Sequence, residues 1–278
     1  MELEEMEKML KSGNLTTRQS SEKSSESICP KCKGVGWIPK MVNGYEVYRE
    51  CECHLKERLQ NNRNFAKIPK NYENVRLGEI ETTLYSREES KKTIEMIRKL
   101  VQKYLGGLKK PNLSNGMGFY FYSNVKGSGK TNMAIALLNE IAEMNKSGDF
   151  ISYRFATVGE ILNTIKNSFD KTDYSEKENS AEKRQKLIHD LSTVDILVLD
   201  DFGMEKITDW VNETIYNIVN ARYIERLPII VTSNFSLEES NYDERITNRL
   251  KEMCFSLHFP EESLRQKVGL EKAKELGK

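Results

Sequence analysis

An aromatic run, Met117 to Ser123, gives way to Asn124, Val125 and Lys126 and then to Gly127, Ser128, Gly129, Lys130 and Thr131. From Thr131 to Met144 the chain carries Ala, Leu and Ile at helical spacing. This order of strand, glycine-rich turn and helix constrains the chain more than any other feature. Glycines let successive backbone N–H groups curl around an anion, a lysine at this position reaches the β and γ phosphates, and the following hydroxyl coordinates Mg²⁺. The turn therefore predicts ATP and Mg²⁺ as ligands, held by Asn124, Gly127, Ser128, Gly129, Lys130 and Thr131. Asn124 stands where the full pattern has glycine, and Asn is the next residue most tolerant of left-handed backbone. ATP binding is expected ahead of rapid turnover.

The rest of the chain alternates strands and helices. Helices are expected over Glu88 to Tyr104, Val158 to Phe169, Trp210 to Ile224 and Glu244 to Lys251, and strands over Phe150 to Phe155, Ile196 to Leu199, Pro228 to Ser233 and Cys254 to Phe259. Tyr174 to Lys186 is charged and reads as partly loop. Continuous apolar runs such as Ile196 to Leu199 mark buried parallel strands. The fold class is α/β, a parallel sheet covered by helices on both faces. Asp200 and Asp201 follow the Ile196 run, at the carboxyl end of a strand where such sheets bind ligands. Asp200 is assigned to Mg²⁺, directly or through water, and Asp201 to orienting or deprotonating the attacking water. Asn234, after the Ile229 strand, could hold that water or contact the γ phosphate.

The 43 basic and 42 acidic residues nearly cancel, so no global field draws nucleic acid. Any contact with single-stranded DNA has to be a local patch, built from residues such as Lys109, Lys110 and Lys126. No run of about eighteen apolar residues is present, and Met1 opens onto Glu2, Glu4 and Glu5, which predicts a cytoplasmic protein without a membrane span.

Cys29 and Cys32 form a Cys-x-x-Cys pair, and Cys51 and Cys53 follow as Cys-x-Cys, with His54 next to them. In a reducing cytosol such clustering favours metal over disulfides. The four thiols predict a closed structural Zn²⁺ site, with His54 able to replace Cys53 as the fourth ligand. Cys254 reads as simply buried. Three segments result: a short helix (Glu2 to Leu10) with a polar tether over 1–27, a zinc-binding partner-recognition module over 28–68 whose linker helix runs from Lys56 to Phe65, and an ATPase domain over 69–278.

Gly127 to Thr131, Asp200 and Asp201 with Gly203, Ala221-Arg222-Tyr223, Pro228 to Asn234 and Glu244 to Leu250 together resemble the AAA+ ATPases of the DnaC/DnaI helicase-loader and IstB family, over about Pro69 to Phe259. The resemblance implies an AAA+ P-loop fold and a homo-oligomer in the ATP state. It makes Asn234 the sensor 1 residue and Arg249 an arginine finger toward a neighbouring subunit, with Arg245 its nearest competitor. It also implies that the zinc module contacts a replicative DNA helicase. Asp201 stands where many relatives carry the longer glutamate, which fits slow hydrolysis. The stretch from Pro260 to Lys278 is too short for the helical lid of larger AAA+ proteins. An IstB-like transposition helper and a nucleotide-gated binder that sequesters a partner share these motifs.

Overall fold

The computed structural model describes residues 29–110, 112–147, 150–168 and 174–265. The expected amino-terminal helix, the tether and the chain beyond Arg265 lie outside them. The chain divides between Lys56 and Glu57 into two compact units.

In the first unit, β1 (Trp37–Val42) and β2 (Tyr45–Glu50) form an antiparallel hairpin, with Trp37 opposite Glu50 and Val42 opposite Tyr45. The loop is Asn43-Gly44, and both residues take positive φ, 51° and 83°. Two-residue loops of this handedness match the twist of their strands, and Asn-Gly is the pair best suited to them. α1 (Glu52–Ala66) follows. The expected boundary at residues 68 and 69 lies later than the observed division. From Glu57 onward α1 belongs to the second unit, within which the Arg58 guanidinium lies 4.4 Å from the Phe150 ring centroid and Arg154 donates to the Phe65 carbonyl at 3.0 Å.

The second unit continues with α2 (Glu88–Gly106), β3 (Gly118–Tyr122), α3 (Lys130–Met144), β4 (Tyr153–Thr157), α4 (Val158–Asn167), α5 (Tyr174–Thr193), β5 (Ile196–Phe202), α6 (Asp209–Ile224), β6 (Ile229–Ser233), α7 (Glu244–Met253) and β7 (Cys254–His258). All five of its strands run parallel in the order β4-β5-β6-β3-β7. Alternate residues of β5 enter opposite cores. Ile196 and Val198 join Ile94 and Ile97 of α2 and Ile135 of α3, while Leu197 and Leu199 join Ile161 of α4, Ile215 of α6 and Ile246 of α7. Burial on both faces explains why this strand reads as one apolar run. Among the described residues no helix is long and apolar enough to cross a membrane.

Two elements depart from expectation. β4 begins at Tyr153 instead of Phe150, because side chains take the preceding backbone groups first. Asn145 exchanges hydrogen bonds with both backbone groups of Ile151, at 2.8 and 2.7 Å, and the Ser152 N–H donates to Asp195 at 2.7 Å. The Tyr174 to Lys186 stretch lies within the helix α5. Its apolar anchors, Leu187, Ile188 and Leu191, pack on the second core. They come only near its end, so the charged first half shows no apolar periodicity of its own.

Arg222 of α6 is fully buried and donates to the carbonyls of Leu191, Val194, Asp195 and Pro228 at 2.6 to 3.1 Å. It thereby ties the end of α5 to the starts of β5 and β6, and burial pushes its pKa down to about 9. Arg222→Ala removes the charged donor that these four carbonyls share, so chemical denaturation is expected to show a loss of ~4 kcal/mol. An unchanged midpoint would count against this latch.

Candidate functional site

β3 delivers the chain to a turn whose left-handed positions are Gly127, with φ 80°, and Gly129, with φ 98°. Asn124 is not one of them, so its place in the motif needs no special backbone. Gly129 starts α3, and a Cβ there would sit 2.8 Å from the Tyr85 hydroxyl, which itself donates to the Ser128 carbonyl at 2.7 Å. The turn folds around Lys130. Its Nζ donates to the carbonyls of Ser123 and Val125, both at 3.1 Å, and to Ser128 Oγ at 3.3 Å. Burial pushes the ammonium pKa down, against the pull of Glu261, Asp201 and Asp200.

Asp200 ends the apolar part of β5 and is only 5% exposed. Its Oδ1 accepts from Thr131 Oγ1 at 2.9 Å and from Thr232 Oγ1 at 2.5 Å. Burial raises the Asp200 pKa, and the Thr232 hydroxyl opposes the rise. The strand register between β5 and β6 shifts between Leu199 and Phe202, and within that shift Asp201 takes φ 57° and exposes its side chain. The structure thus joins the turn to the strand end through Thr131 and Asp200, two oxygen ligands suited to Mg²⁺. Asn234 lies at the end of β6, where its Nδ2 meets Met204 Sδ at 2.9 Å.

Several neighbours of the site carry no mark in the sequence. The stretch after β7 lies on the turn: Leu264 N–H donates to the Gly127 carbonyl at 2.9 Å, and Asn124 N–H donates to Glu261 at 3.1 Å. Glu262 accepts from Ser86 N–H at 2.7 Å and from Ser90 Oγ at 2.6 Å, at the start of α2. Glu205 is bonded by the Tyr242 hydroxyl, and burial raises its pKa. Tyr85 and Glu262 come from distant sequence without a motif. Thr232 sits in the same apolar run as Asn234, where its hydroxyl was the available clue.

The two candidate arginines sit apart from this bonding network. Arg249 donates to Asn220 Oδ1 at 2.9 Å, to the Arg245 carbonyl at 2.9 Å and to Tyr216 Oη at 3.2 Å, and it lies over the Tyr216 and Tyr223 rings. Arg245 pairs with Asp243 at 3.0 Å. Of the lysines named for DNA, Lys126 is exposed beside the turn, whereas Lys110 pairs with Asp195 at 2.6 Å.

In the first unit the sulfurs of Cys29, Cys32, Cys51 and Cys53 all lie within 4.8 Å of one another. The Cys29 turn closes through Lys33 N–H to the Cys29 carbonyl at 2.8 Å, and Cys51 N–H donates to the Gly36 carbonyl at 2.8 Å. N–H groups of Cys32 and Lys31 pull the Cys29 thiol down to about 6, while neighbouring sulfurs hold Cys53 up at about 12. Four sulfurs this close together suit a thiophilic cation such as Zn²⁺. His54 stays outside the group, paired through Nδ1 with Glu50 at 2.9 Å.

Comparison with known proteins bears on the family and the fold. Residues 123–271 match the family described as IstB-like ATP binding protein, which is more than half of the chain. The replicative helicase loader DnaI of Bacillus subtilis (strain 168) is 36% identical over 125 residues, covering 45% of this chain and 35% of that protein. The replicative helicase loader DnaC of Escherichia coli (strain K12) is 29% identical over 134 residues, covering 48% and 49%. The chain thus spans half or less of the length of these relatives. A crystal structure of DnaI superposes with a TM-score of 0.53 at 19% identity, covering 71% of this chain and 94% of that one, which speaks for the fold.

Proposed function

The chain belongs to the family of IstB-like ATP-binding proteins and has the AAA+ fold, and from that premise we propose that it is an ATP-hydrolysing loader of a replicative DNA helicase. The observation that carries the ATPase part is the Thr131 to Asp200 hydrogen bond of 2.9 Å, which brings the two halves of a magnesium nucleotide site together. Thr131 and Asp200 would hold Mg²⁺, which supplies charge neutralisation on the β and γ phosphates. Backbone N–H groups of the turn bind the phosphates, and Lys130 exchanges its loop acceptors for phosphate oxygens. Asp201 orients or deprotonates the attacking water, and Asn234 fixes its position, turning away from Met204 to do so. Asp201 reaches one methylene less far than glutamate, which supports slow turnover.

The loader part rests on the likeness to DnaI and DnaC and on the cysteine unit, whose exposed Val35, Tyr45 and Tyr48 offer apolar surface to a partner. A role in DNA replication, a cytoplasmic location, Zn²⁺ in the cysteine site and single-stranded DNA beside Lys126 belong to the same reading. Affinity capture with ATP is expected to bring down a replicative helicase. Recovery of a transposase instead would favour the transposition helper to which the family name points. ATP turnover that rises with single-stranded DNA is expected of the enzyme, while binding without turnover would leave a nucleotide-gated binder.

Arg249 is read as the residue that completes a neighbouring subunit's site in the ATP-state oligomer. Its stacking on Tyr216 and Tyr223 holds the guanidinium on the surface until a phosphate is offered. Arg249→Ala is expected to cut turnover by about a thousandfold while nucleotide binding persists. Mixing it with Lys130→Ala protein should restore activity at mixed interfaces. Normal hydrolysis by Arg249→Ala alone would remove the assignment.

A further inference from the structure

One hydroxyl governs both carboxylates of the candidate site. Thr232 Oγ1 gives its only proton to Asp200 Oδ1 at 2.5 Å and accepts the backbone N–H of Asp201 at 3.1 Å. Thr232 is 1% exposed, so water cannot take over either bond. Its two partners differ in kind. For Asp200 the bond fixes a side-chain oxygen that also receives Thr131, and for Asp201 it fixes the backbone inside the shifted register, at φ 57°. A non-glycine residue in left-handed backbone is uncommon and persists where its surroundings hold it.

We propose that Thr232 is a positioning residue of the magnesium nucleotide site, clamping Asp200 toward the metal and holding the backbone turn that presents Asp201. This rests on the ATPase reading above and goes beyond it by assigning a role to a residue that touches neither nucleotide nor metal. β6 thereby carries two separate duties. Asn234 follows its end and meets Met204, and Thr232 inside the sheet sets the geometry from behind. The β branch also suits a central strand, which is the competing, purely structural account. Removing the hydroxyl while keeping the side-chain volume separates the two accounts.

The test compares Thr232→Val with Thr232→Ser, and Thr232→Ala with Thr232→Ser, the latter pair differing by a single oxygen. Each protein is titrated with a fluorescent ATP analogue in EDTA and then with Mg²⁺ at fixed analogue, with melting curves run alongside. The Mg²⁺ concentration for half-maximal response is expected to rise about ten- to a hundredfold in the Val and Ala variants, with metal-free affinity near wild type and the Ser variant restored. Equal behaviour of Ser and Ala, or a Val variant with a wild-type Mg²⁺ requirement, would overturn the clamp. A wild-type protein that binds no analogue under any condition would instead remove the ATPase reading.

Discussion

Lys130→Ala is expected to lose MgATP affinity by about a thousandfold, the size of two charge-assisted hydrogen bonds at ~2 kcal/mol each. In the turn the Lys130 ammonium is satisfied by three oxygens of its own loop, those of Ser123, Val125 and Ser128. Burial already works against its charge. A triphosphate removes that conflict, since it brings negative charge to a desolvated cation, while water donates to the loop carbonyls that the ammonium leaves. The variant therefore acts on two states. It weakens the complex, and it also loosens the free turn, because Ser123 and Val125 lose a common donor. Lys130→Met keeps the aliphatic stem and so separates the two effects: nucleotide affinity is expected to fall as far as in Lys130→Ala, with a smaller drop in the melting temperature of the free protein. Calorimetric titration with MgATP checks the affinities. Retention of wild-type affinity by either variant would move the phosphate site elsewhere.

The parts of this site that the sequence exposes are those that repeat a local pattern. Gly127 to Thr131 form one continuous turn, and Asp200 follows an apolar strand, so both are readable without knowing the fold. Asn234 was legible from its place after a strand, Arg249 only through family likeness; the first meets Met204, the second Asn220 of α6. What the sequence hid was set by chain crossings. Tyr85 lies far from Ser128 in sequence, and Glu262 far from Ser86, so no window along the chain brings these pairs together. Thr232 was hidden differently, since a threonine inside a strand is ordinary until its neighbour strand ends in two aspartates. The Asn43-Gly44 hairpin, in contrast, carried a strong local mark that the cysteine spacing overshadowed.

That hairpin carries the largest stability effect expected of the chain. Among the described residues up to Lys56, the buried side chains are those of Cys32 and Cys51. Val35 is 71% exposed, Tyr45 76% and Tyr48 63%, so the unit has no apolar interior with which to hold two strands together. An isolated two-stranded hairpin is marginal in water. What can stabilise it among the described residues is a cation held by the four sulfurs, which lie within 4.8 Å of one another at the junction of the Cys29 turn, the end of β2 and the start of α1. Structural zinc contributes on the order of 10 kcal/mol to small domains of this kind, more than a unit of this size gains from packing. Chelation, or Cys51→Ser, is accordingly expected to release one zinc per chain and abolish the dispersed NMR resonances of Trp37 to Glu50. MgATP binding by the second unit should persist, because the turn and Asp200 share no residue with the cluster. His54→Ala is expected to keep its zinc, since the Nδ1 of His54 is taken by Glu50 and its ring lies beside Trp37 at 5.8 Å. Elemental analysis of the purified variants decides between the ligand sets: zinc lost with His54 and retained with Cys53→Ser would exchange the fourth ligand, and a hairpin that stays folded after chelation would remove the metal from the unit's stability altogether.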